Sequence, residues 1–454
     1  MSLENNSVHG MWSSRWAFIL AATGSAVGLG NIWKFPYIAG ENGGGAFVLV
    51  YLLCIVLIGV PILCSEILLG RLGRKSPANT FQQLASDLRA SSNWRFVGWL
   101  GVTAGFLILT FYSVVAGWAL AYVFEAGSGS FVGQDADAIG AIFGGLLASP
   151  GQNVLWSTLV IVLTMTIVGR GVNDGLEKAV TTLMPLMFLI LFIMVGYAMT
   201  TGHFSAGVDF LFYPDWSKLT AAGVLEALGH AFFTLSLASG IMLMYGAYLP
   251  KDINLVKTGV TIAMADTVVA LMAGLAIFPI VFANDLVPGQ GAGLVFTTLP
   301  IAFGSMPFGT ILGTLFFVML VFAAFTSAIS LIESVVAWLV ETKNLTRAKA
   351  ATLAGLAVWV LSLGSSFSFN IISDVKMGGL TFFDAIDKLT ANIMLPLCGL
   401  FIALFVGWRL PADKLSQQLG VATDHIGFKA FSFVIKIVAP VVIAVVFLKN
   451  MGVF

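Results

Sequence analysis

The sequence predicts an all-α integral membrane protein, and three observations lead to this fold class. First, 58% of the 454 residues are hydrophobic and only 10% are charged, whereas an average soluble domain has about 25% charged residues. Second, the apolar residues form runs of about 20, the length that a helix needs to cross a bilayer. Third, the short alternating segments typical of a membrane β-barrel are not seen. The same composition argues against a disordered or collagen-like chain.

Scanning the chain for such runs gives eleven candidate transmembrane helices. The first ten form two sets of five helices, and residues 428–450 are an additional helix. The eleven lie near residues 15–38, 44–70, 97–125, 153–169, 178–200, 222–249, 257–283, 308–340, 346–365, 380–408 and 428–450.

Lys and Arg in the loops predict the orientation, because cytoplasmic loops are enriched in both. With the N-terminus inside, one side of the membrane receives all but five of the 22 basic residues. We therefore expect a multi-pass protein of the plasma (inner) membrane, with a cytoplasmic N-terminus and an extracytoplasmic C-terminus. The lipid bilayer is its expected surrounding, and no basic patch suggests a nucleic-acid partner. The five exceptions are Lys34, Lys218, Lys376, Lys388 and Lys449.

The predicted outer segment 284–307 contains a Pro-Gly-Gln-Gly sequence at 288–291 and a short apolar stretch at 295–303. Such a segment fits a re-entrant or capping hairpin, and equally a surface loop with a short helix.

The first and sixth spans contain sequences that weaken a helix. Residues 24–31 read GSAVGLGN, with three glycines that each cost about 1 kcal/mol relative to alanine. Residues 233–240 read FTLSLASG, with three hydroxyls and one glycine. Unpaired backbone at this depth is tolerated only where it lines a cavity. Glycines also allow close helix packing, which is the alternative.

The two interruptions occupy corresponding places, which is typical of an inverted-repeat transporter with its site at the bilayer midplane. We therefore expect a single domain over 1–454, with helices 1 and 6 broken. Repeat one covers about 15–200, repeat two about 222–408, and the extra helix follows.

Polar residues inside the spans are rare and often functional. Asp266 has no base nearby in its span, so it either binds a cation such as sodium or is protonated and hydrogen-bonded. Glu66 is interpreted as a carboxylate that bridges helices. Thr326 and Ser327 offer two hydroxyls, although such groups often bond to their own helix.

Four segments carry a family resemblance. The segments are GSAVGLGNIWKFPY at 24–37, ENGGGAF at 41–47, FTLSL at 233–237 and TSAIS at 326–330. By these segments the sequence resembles the neurotransmitter:sodium symporter family, whose bacterial members have the leucine-transporter fold. The first motif is highly specific, and the match extends over spans one to ten.

The resemblance implies symport of an amino acid with sodium, two ions being implied, and no enzymatic activity. The implied substrate residues are Ala26, Gly28, Leu29, Gly30, Ile108, Tyr112, Phe233, Thr234, Ser236, Ser239, Thr326 and Leu331. The first sodium site would comprise Ala26, Asn31, Thr234 and Asp266. The second would comprise Gly24, Val27, Ala323, Thr326 and Ser327. The gates would comprise Lys34 and Asp387 outside, and Trp12, His9 and Glu341 inside.

Departures from the family pattern refine the expected substrate. Monoamine members carry aspartate where this chain has Gly28, so an amino acid with its own carboxylate is favoured. Many members have asparagine at the Asp266 position and need chloride; a fixed carboxylate predicts that no chloride is required. Ser239 suggests a pocket for a large apolar or aromatic side chain.

The gates also depart from the family pattern. Lys34 replaces an arginine and cannot form the bidentate fork with Asp387. His9 replaces another arginine, so we expect cytoplasmic acidification to strengthen its pairing with Glu341. A sodium-dependent amino-acid receptor or sensor, or a channel-like protein, is the alternative function.

Overall fold

The computed structural model describes residues 9–287 and 291–453, apart from the side chain of Trp33, and most of this length is helical. Within these residues no β-strand occurs, and two isolated bridges pair Gly44 with Pro214 and Met377 with Leu380. The helices are α1 (Arg15–Ala26), α2 (Gly30–Glu41), α3 (Gly45–Gly73), α4 (Pro77–Asp87), α5 (Ser92–Gly127), α6 (Ala136–Ala148), α7 (Pro150–Gly169), α8 (Val172–Ala198), α9 (Phe204–Phe212), α10 (Ala221–Thr234), α11 (Ile241–Ala247), α12 (Leu255–Ala283), α13 (Leu294–Ser305), α14 (Gly309–Lys343), α15 (Arg347–Phe367), α16 (Phe382–Trp408), α17 (Ala412–Leu419) and α18 (Ile426–Asn450).

Nine of the described helices are long and apolar enough to cross a membrane, which confirms the predicted all-α membrane class. They are α3, α5, α7, α8, α12, α14, α15, α16 and α18. The first predicted span consists of α1 and α2, which meet at an angle of 68°. The sixth consists of α10 and α11, separated by residues 235–240. Each half of the sixth span is shorter than a membrane crossing, so the count of eleven stays a prediction.

Local sequence explains where several helices begin. The Ser14 hydroxyl accepts a hydrogen bond from the Ala17 N–H at 3.1 Å, and the Asn254 amide oxygen accepts one from the Lys257 N–H at 2.8 Å. Such caps pair N–H groups that the first turn of a helix leaves open. Prolines occupy the first turn of α4 and α7, where a missing N–H costs little.

Burial distinguishes central from peripheral spans. In the most apolar stretch of α14, 83% of the residues are buried, against 28% in α18. Helix α14 packs against α5 and α1, whereas α18 packs mainly on α16. Helix α1, the first half of the broken first span, therefore lies against the spanning helix with the largest buried share. Helix α18 is exposed over most of its surface.

The predicted outer segment 284–307 contains the 12-residue helix α13. Its apolar residues Leu294, Phe296 and Phe303 are buried, and the Tyr122 hydroxyl of α5 donates a hydrogen bond to the Phe296 carbonyl at 3.0 Å. The segment is therefore a short helix packed onto the spans. Residues 288–290, the first part of its Pro-Gly-Gln-Gly sequence, lie outside the described residues.

Candidate functional site

The first break follows α1, where Val27 adopts an extended conformation with φ −69° and ψ 99°. The Gly28 N–H then donates to the Asn31 side-chain oxygen at 3.1 Å, which pairs one of the exposed backbone groups. A Cβ at Gly28 would lie 3.2 Å from the Ser327 hydroxyl and 3.5 Å from the Tyr112 hydroxyl. Glycine thus lets the backbone approach both of these polar groups closely.

The second break, residues 235–240, contains non-glycine residues in the left-handed region. Ser236 has φ 52° and Ala238 has φ 65°, a conformation that costs about 1–2 kcal/mol per residue. The Ser236 hydroxyl donates to the Ser25 carbonyl at 2.8 Å, and the Ala238 N–H donates to a Glu66 carboxylate oxygen at 2.6 Å. Glu66 thus bridges α3 to the break, as expected, and these bonds hold the strained backbone in place.

Both breaks line one cavity of about 550 Å³, a size typical of small-molecule sites. The buried Tyr112 hydroxyl makes no hydrogen bond among the described residues, although Ser327 and the backbone of Leu29 lie near it. Of the twelve predicted substrate residues, Thr326 does not line the cavity. The eleven that do are Ala26, Gly28, Leu29, Gly30, Ile108, Tyr112, Phe233, Thr234, Ser236, Ser239 and Leu331.

Three of the four residues predicted for the first sodium site form one buried cluster. The Asn31 amide donates to Asp266 Oδ1 at 2.8 Å and to the Thr234 hydroxyl at 3.1 Å. The Thr234 hydroxyl donates to Asp266 Oδ2 at 2.9 Å. No described basic side chain forms an ion pair with Asp266, which is fully buried. The fourth residue, Ala26, lines the adjoining cavity.

The residues predicted for the second sodium site lie where α1 meets α14. A Cβ at Gly24 would lie 3.2 Å from Thr326 Cβ and 2.9 Å from the sulfur of Met184 on α8. The Thr326 hydroxyl donates to the Ala323 carbonyl at 3.0 Å, which is the helix-internal bonding considered from the sequence. Ser327 lines the cavity, and Val27 follows the last residue of α1. Hydroxyl and carbonyl oxygens are donors that suit a hard cation.

Among the described residues, no group of three or more His, Cys, Asp or Glu side chains is placed to hold a metal ion. The candidate cation ligands are therefore carbonyl, amide and hydroxyl oxygens together with one carboxylate.

The predicted outer gate is not paired in this structure. Lys34 and Asp387 both line the cavity, but no ion pair joins them among the described residues. The Lys34 ammonium lies 5.9 Å from the centroid of the Phe233 ring, within cation–π range. Leu331 lines the same cavity as Lys34 and Asp387, so the cavity connects the predicted substrate residues with the predicted outer gate.

The predicted inner gate is paired. His9 Nε2 lies 2.9 Å from Glu341 Oε1. Glu341 also accepts hydrogen bonds from the Ser76 N–H and hydroxyl, at 2.7 and 2.6 Å, and from the Asn79 amide at 2.7 Å. Trp12 is 2% exposed, and its indole N–H donates to the Tyr245 carbonyl at 3.1 Å. The predicted inner gate therefore combines a hydrogen-bonded network around Glu341 with a buried aromatic residue.

A basic residue supports the same end of the molecule. Arg74, directly after α3, donates to the Ala247 carbonyl at the end of α11 at 3.2 Å. Burial lowers the pKa of its guanidinium from the ordinary value, because the charged form loses water.

The structure also brings residues to the site that sequence reasoning missed. The Ser25 carbonyl accepts hydrogen bonds from both Ser236 and Ser327. His230 is buried one helical turn before Thr234 and stacks on Phe35 with ring centroids 5.4 Å apart. Its spacing of four residues from Thr234 was a usable signal, since both lie on one face of α10.

Comparison with known proteins gives consistent matches over nearly the whole chain. The model of the family described as the sodium:neurotransmitter symporter family matches residues 9–132 and 146–454. The sodium-dependent transporter YhdH of Bacillus subtilis (strain 168) is 37% identical over 97% of this chain and 98% of its own. A sodium-dependent transporter of Haemophilus influenzae is 32% identical over 98% and 99%. The crystal structure of MhsT in complex with L-phenylalanine aligns with TM-score 0.88 and 41% identity, covering 97% of this chain and 99% of MhsT.

Proposed function

The chain belongs to the sodium:neurotransmitter symporter family and is a sodium-dependent multi-pass membrane transporter rather than an enzyme, and from this premise we propose that it carries an apolar or aromatic amino acid into the cell. Two sodium ions accompany each substrate, and chloride is not required. Transport proceeds by alternating access around the two breaks.

The observation that carries this proposal is the buried cluster of Asn31, Thr234 and Asp266 beside the cavity. Its carboxylate lies next to the break at which Gly28 leaves room in front of the Tyr112 hydroxyl. A substrate carboxylate in that space would accept a hydrogen bond from Tyr112 and complete the shell of a sodium ion. Co-binding of this kind makes each ligand depend on the other.

Similarity and wall chemistry support the substrate class. MhsT, at 41% identity, was crystallised with L-phenylalanine. In this chain Ile108, Phe233 and Leu331 give the cavity apolar walls, while Ser239 is small. A larger side chain therefore finds apolar contact and space. The chloride independence rests on Asp266, whose fixed negative charge would take the place of the anion.

The proposed ligand sets are those of the sequence analysis. Sodium site one takes Ala26, Asn31, Thr234 and Asp266, and site two takes Gly24, Val27, Ala323, Thr326 and Ser327. Lys34 and Asp387 would close the outer end, and Trp12, His9 and Glu341 the inner end. With an unpaired outer gate and a closed inner one, the structure supports a form open to the outside.

Two ions supply enough free energy for concentrative uptake. Each charge that moves down a potential of 100 mV yields about 2.3 kcal/mol. A tenfold sodium gradient adds about 1.4 kcal/mol per ion, so two ions provide about 7.4 kcal/mol. At tight coupling this would sustain a substrate ratio near 10⁵, since about 1.4 kcal/mol corresponds to tenfold.

The test is uptake of a panel of radiolabelled amino acids into proteoliposomes, under inward sodium or potassium gradients, with and without chloride. We expect sodium-dependent accumulation of phenylalanine or another apolar amino acid, unchanged without chloride. Binding without accumulation would point to a receptor or sensor instead. Accumulation that needs chloride would contradict the role given to Asp266.

A further inference from the structure

A second cavity, of about 410 Å³, lies between the ends of α5, α6 and α7 that the charge distribution places outside the cell. It is separate from the substrate cavity, and no lining residue is shared between them. Its walls combine aromatic and polar groups, including Tyr122, Phe124, Glu125, Ser130, Gln152 and Trp156.

The charge of this cavity is negative. Glu125 is half-buried, and its carboxylate forms no ion pair or hydrogen bond within the described chain, although its carbonyl accepts from the Ser128 hydroxyl at 3.0 Å. No Lys or Arg lines the cavity. A carboxylate in a partly enclosed site without a counter-charge favours a cationic ligand.

The aromatic wall of the cavity favours an ammonium group over a metal ion as the bound cation. Phe124 and Trp156 stack with ring centroids 5.3 Å apart. Aromatic faces attract ammonium groups through their quadrupole, whereas small metal ions prefer shells made of oxygen. The Gln152 amide and the Glu125 carboxylate can accept N–H donors, which a primary ammonium has and a quaternary one lacks.

The surroundings of the cavity indicate which kind of molecule bears the ammonium group. Phe124 is 60% exposed on the outer surface of α5. Leu155, Leu159 and Val162 form an exposed apolar stripe along α7 from the cavity toward the middle of the span. Trp156 lies two turns from the start of α7, at the level where tryptophan concentrates at membrane interfaces. A headgroup in the cavity would therefore have its acyl chains along this stripe.

We propose that this cavity binds the primary ammonium of a phospholipid headgroup, of the phosphatidylethanolamine type, from the leaflet at that end of the protein. Glu125 and Gln152 accept its N–H donors, Trp156 covers one face, and the α7 stripe holds an acyl chain.

The test is native mass spectrometry of the full-length detergent-solubilised protein with equimolar phosphatidylethanolamine and phosphatidylcholine of identical chains. We expect about a tenfold preference for phosphatidylethanolamine, in line with a charge-assisted hydrogen bond. Glu125→Gln should abolish the preference and Trp156→Leu should weaken it. Asp137→Asn, which removes an exposed carboxylate of the adjacent helix α6, should leave it unchanged. Equal retention of the two lipids by the native chain, or an unaltered preference in Glu125→Gln, would overturn the proposal.

Free ethanolamine provides the second arm. If millimolar ethanolamine displaces no phosphatidylethanolamine, the lipid is the carrier; if it displaces the lipid fully, the site is one for small amines and the lipid assignment is wrong. Sodium-driven uptake, measured in parallel on each variant, reports whether the protein is folded. Because Glu125 lies outside the substrate cavity, failure of the lipid proposal would leave the transport proposal intact.

Discussion

The two helix breaks solve the same problem in different ways. The break between α1 and α2 contains glycine, has no described residue at positive φ, and pairs its own backbone through Asn31. The break between α10 and α11 is longer, contains Ser236 and Ala238 at positive φ, and depends on Glu66 from another helix.

This difference assigns the breaks different tasks. Glycine removes side-chain bulk, so the first break can approach a ligand, Tyr112 and Ser327 closely. The second break keeps its side chains and stores strain, which the surrounding hydrogen bonds offset. We therefore expect changes at the first break to affect transport first, and changes at the supports of the second to affect stability first.

The largest expected effect is that of Gly28→Asp. The added Cβ alone would lie 3.2 Å from the Ser327 hydroxyl, and a carboxylate there would repel that of an amino acid. Juxtaposed like charges cost several kcal/mol, so uptake should fall at least about 100-fold. Gly140→Asp on α6, where a Cβ meets nothing within 4 Å, is the matched control for proteoliposome uptake. Undiminished amino-acid uptake by Gly28→Asp would refute the placement of the substrate carboxylate.

Glu66→Ala should test the second break. It leaves the buried Ala238 N–H without an acceptor, at a cost of about 1–3 kcal/mol. The thermal unfolding midpoint in detergent should fall accordingly. Ser334→Ala, which removes a longer bond of 3.3 Å to the Gly240 carbonyl of the same break, should have a smaller effect. If the two variants unfold at the same temperature, Glu66 is not the main support.

Asp266→Asn should test whether the negative charge beside the first break takes the place of chloride. The amide keeps an acceptor for Asn31 but loses the negative charge beside the cation site. We expect about a tenfold loss of uptake without chloride, corresponding to about 1.4 kcal/mol, and recovery when chloride is supplied. Thr234→Ser, which retains a hydroxyl, should remain chloride-independent. A variant Asp266→Asn that transports equally well in both buffers would contradict the charge-replacement argument.

The smallest expected effect concerns the contact between the two broken spans at the end that is predicted to face the cytoplasm. Trp12, just before α1, bonds to Tyr245 of α11, and His9 pairs with Glu341 beside them. A proton added to the His9 imidazole would bring a positive charge that attracts the Glu341 carboxylate. Acidification inside vesicles should therefore slow uptake about threefold, as for a modest ion pair.

His9→Ala should flatten this pH profile, while His425→Ala, which changes an exposed histidine, should preserve it. An unchanged profile in His9→Ala would show that the closure does not depend on this charge.

Much of the fold follows from the sequence, because crossing a bilayer requires an apolar length that composition reveals directly. The predicted run 257–283 is observed as Leu255–Ala283, and 380–408 as Phe382–Trp408. The short helices α4, α9 and α17 were not predicted, since segments of this length carry no such signal. The sixth span was predicted to be broken. The hydrogen bond that supports this break comes from Glu66, which is 172 residues away from Ala238 in the chain.

The site was predicted as a set of residues but not as a set of contacts. Intramembrane Asp266 and the glycines near Asn31 stand out in the sequence. The lack of an ion pair between Lys34 and Asp387 could not be predicted from the sequence, because whether the two side chains meet depends on how far the cavity is open. The four-residue spacing of His230 from Thr234 placed both residues on one face of α10, but this spacing does not reveal the contact of His230 with Phe35.

The side chain of Asn31 has a consequence for the order in which ligands respond to one another. Its oxygen accepts from the Gly28 N–H, whereas its nitrogen donates to Asp266. A cation bound at Asp266 and a substrate bound at Gly28, as proposed, would therefore act on opposite ends of one planar amide. By thermodynamic reciprocity, the factor by which the ion raises solute affinity equals the factor by which the solute raises ion affinity. Titrations in either direction should therefore return one and the same coupling constant.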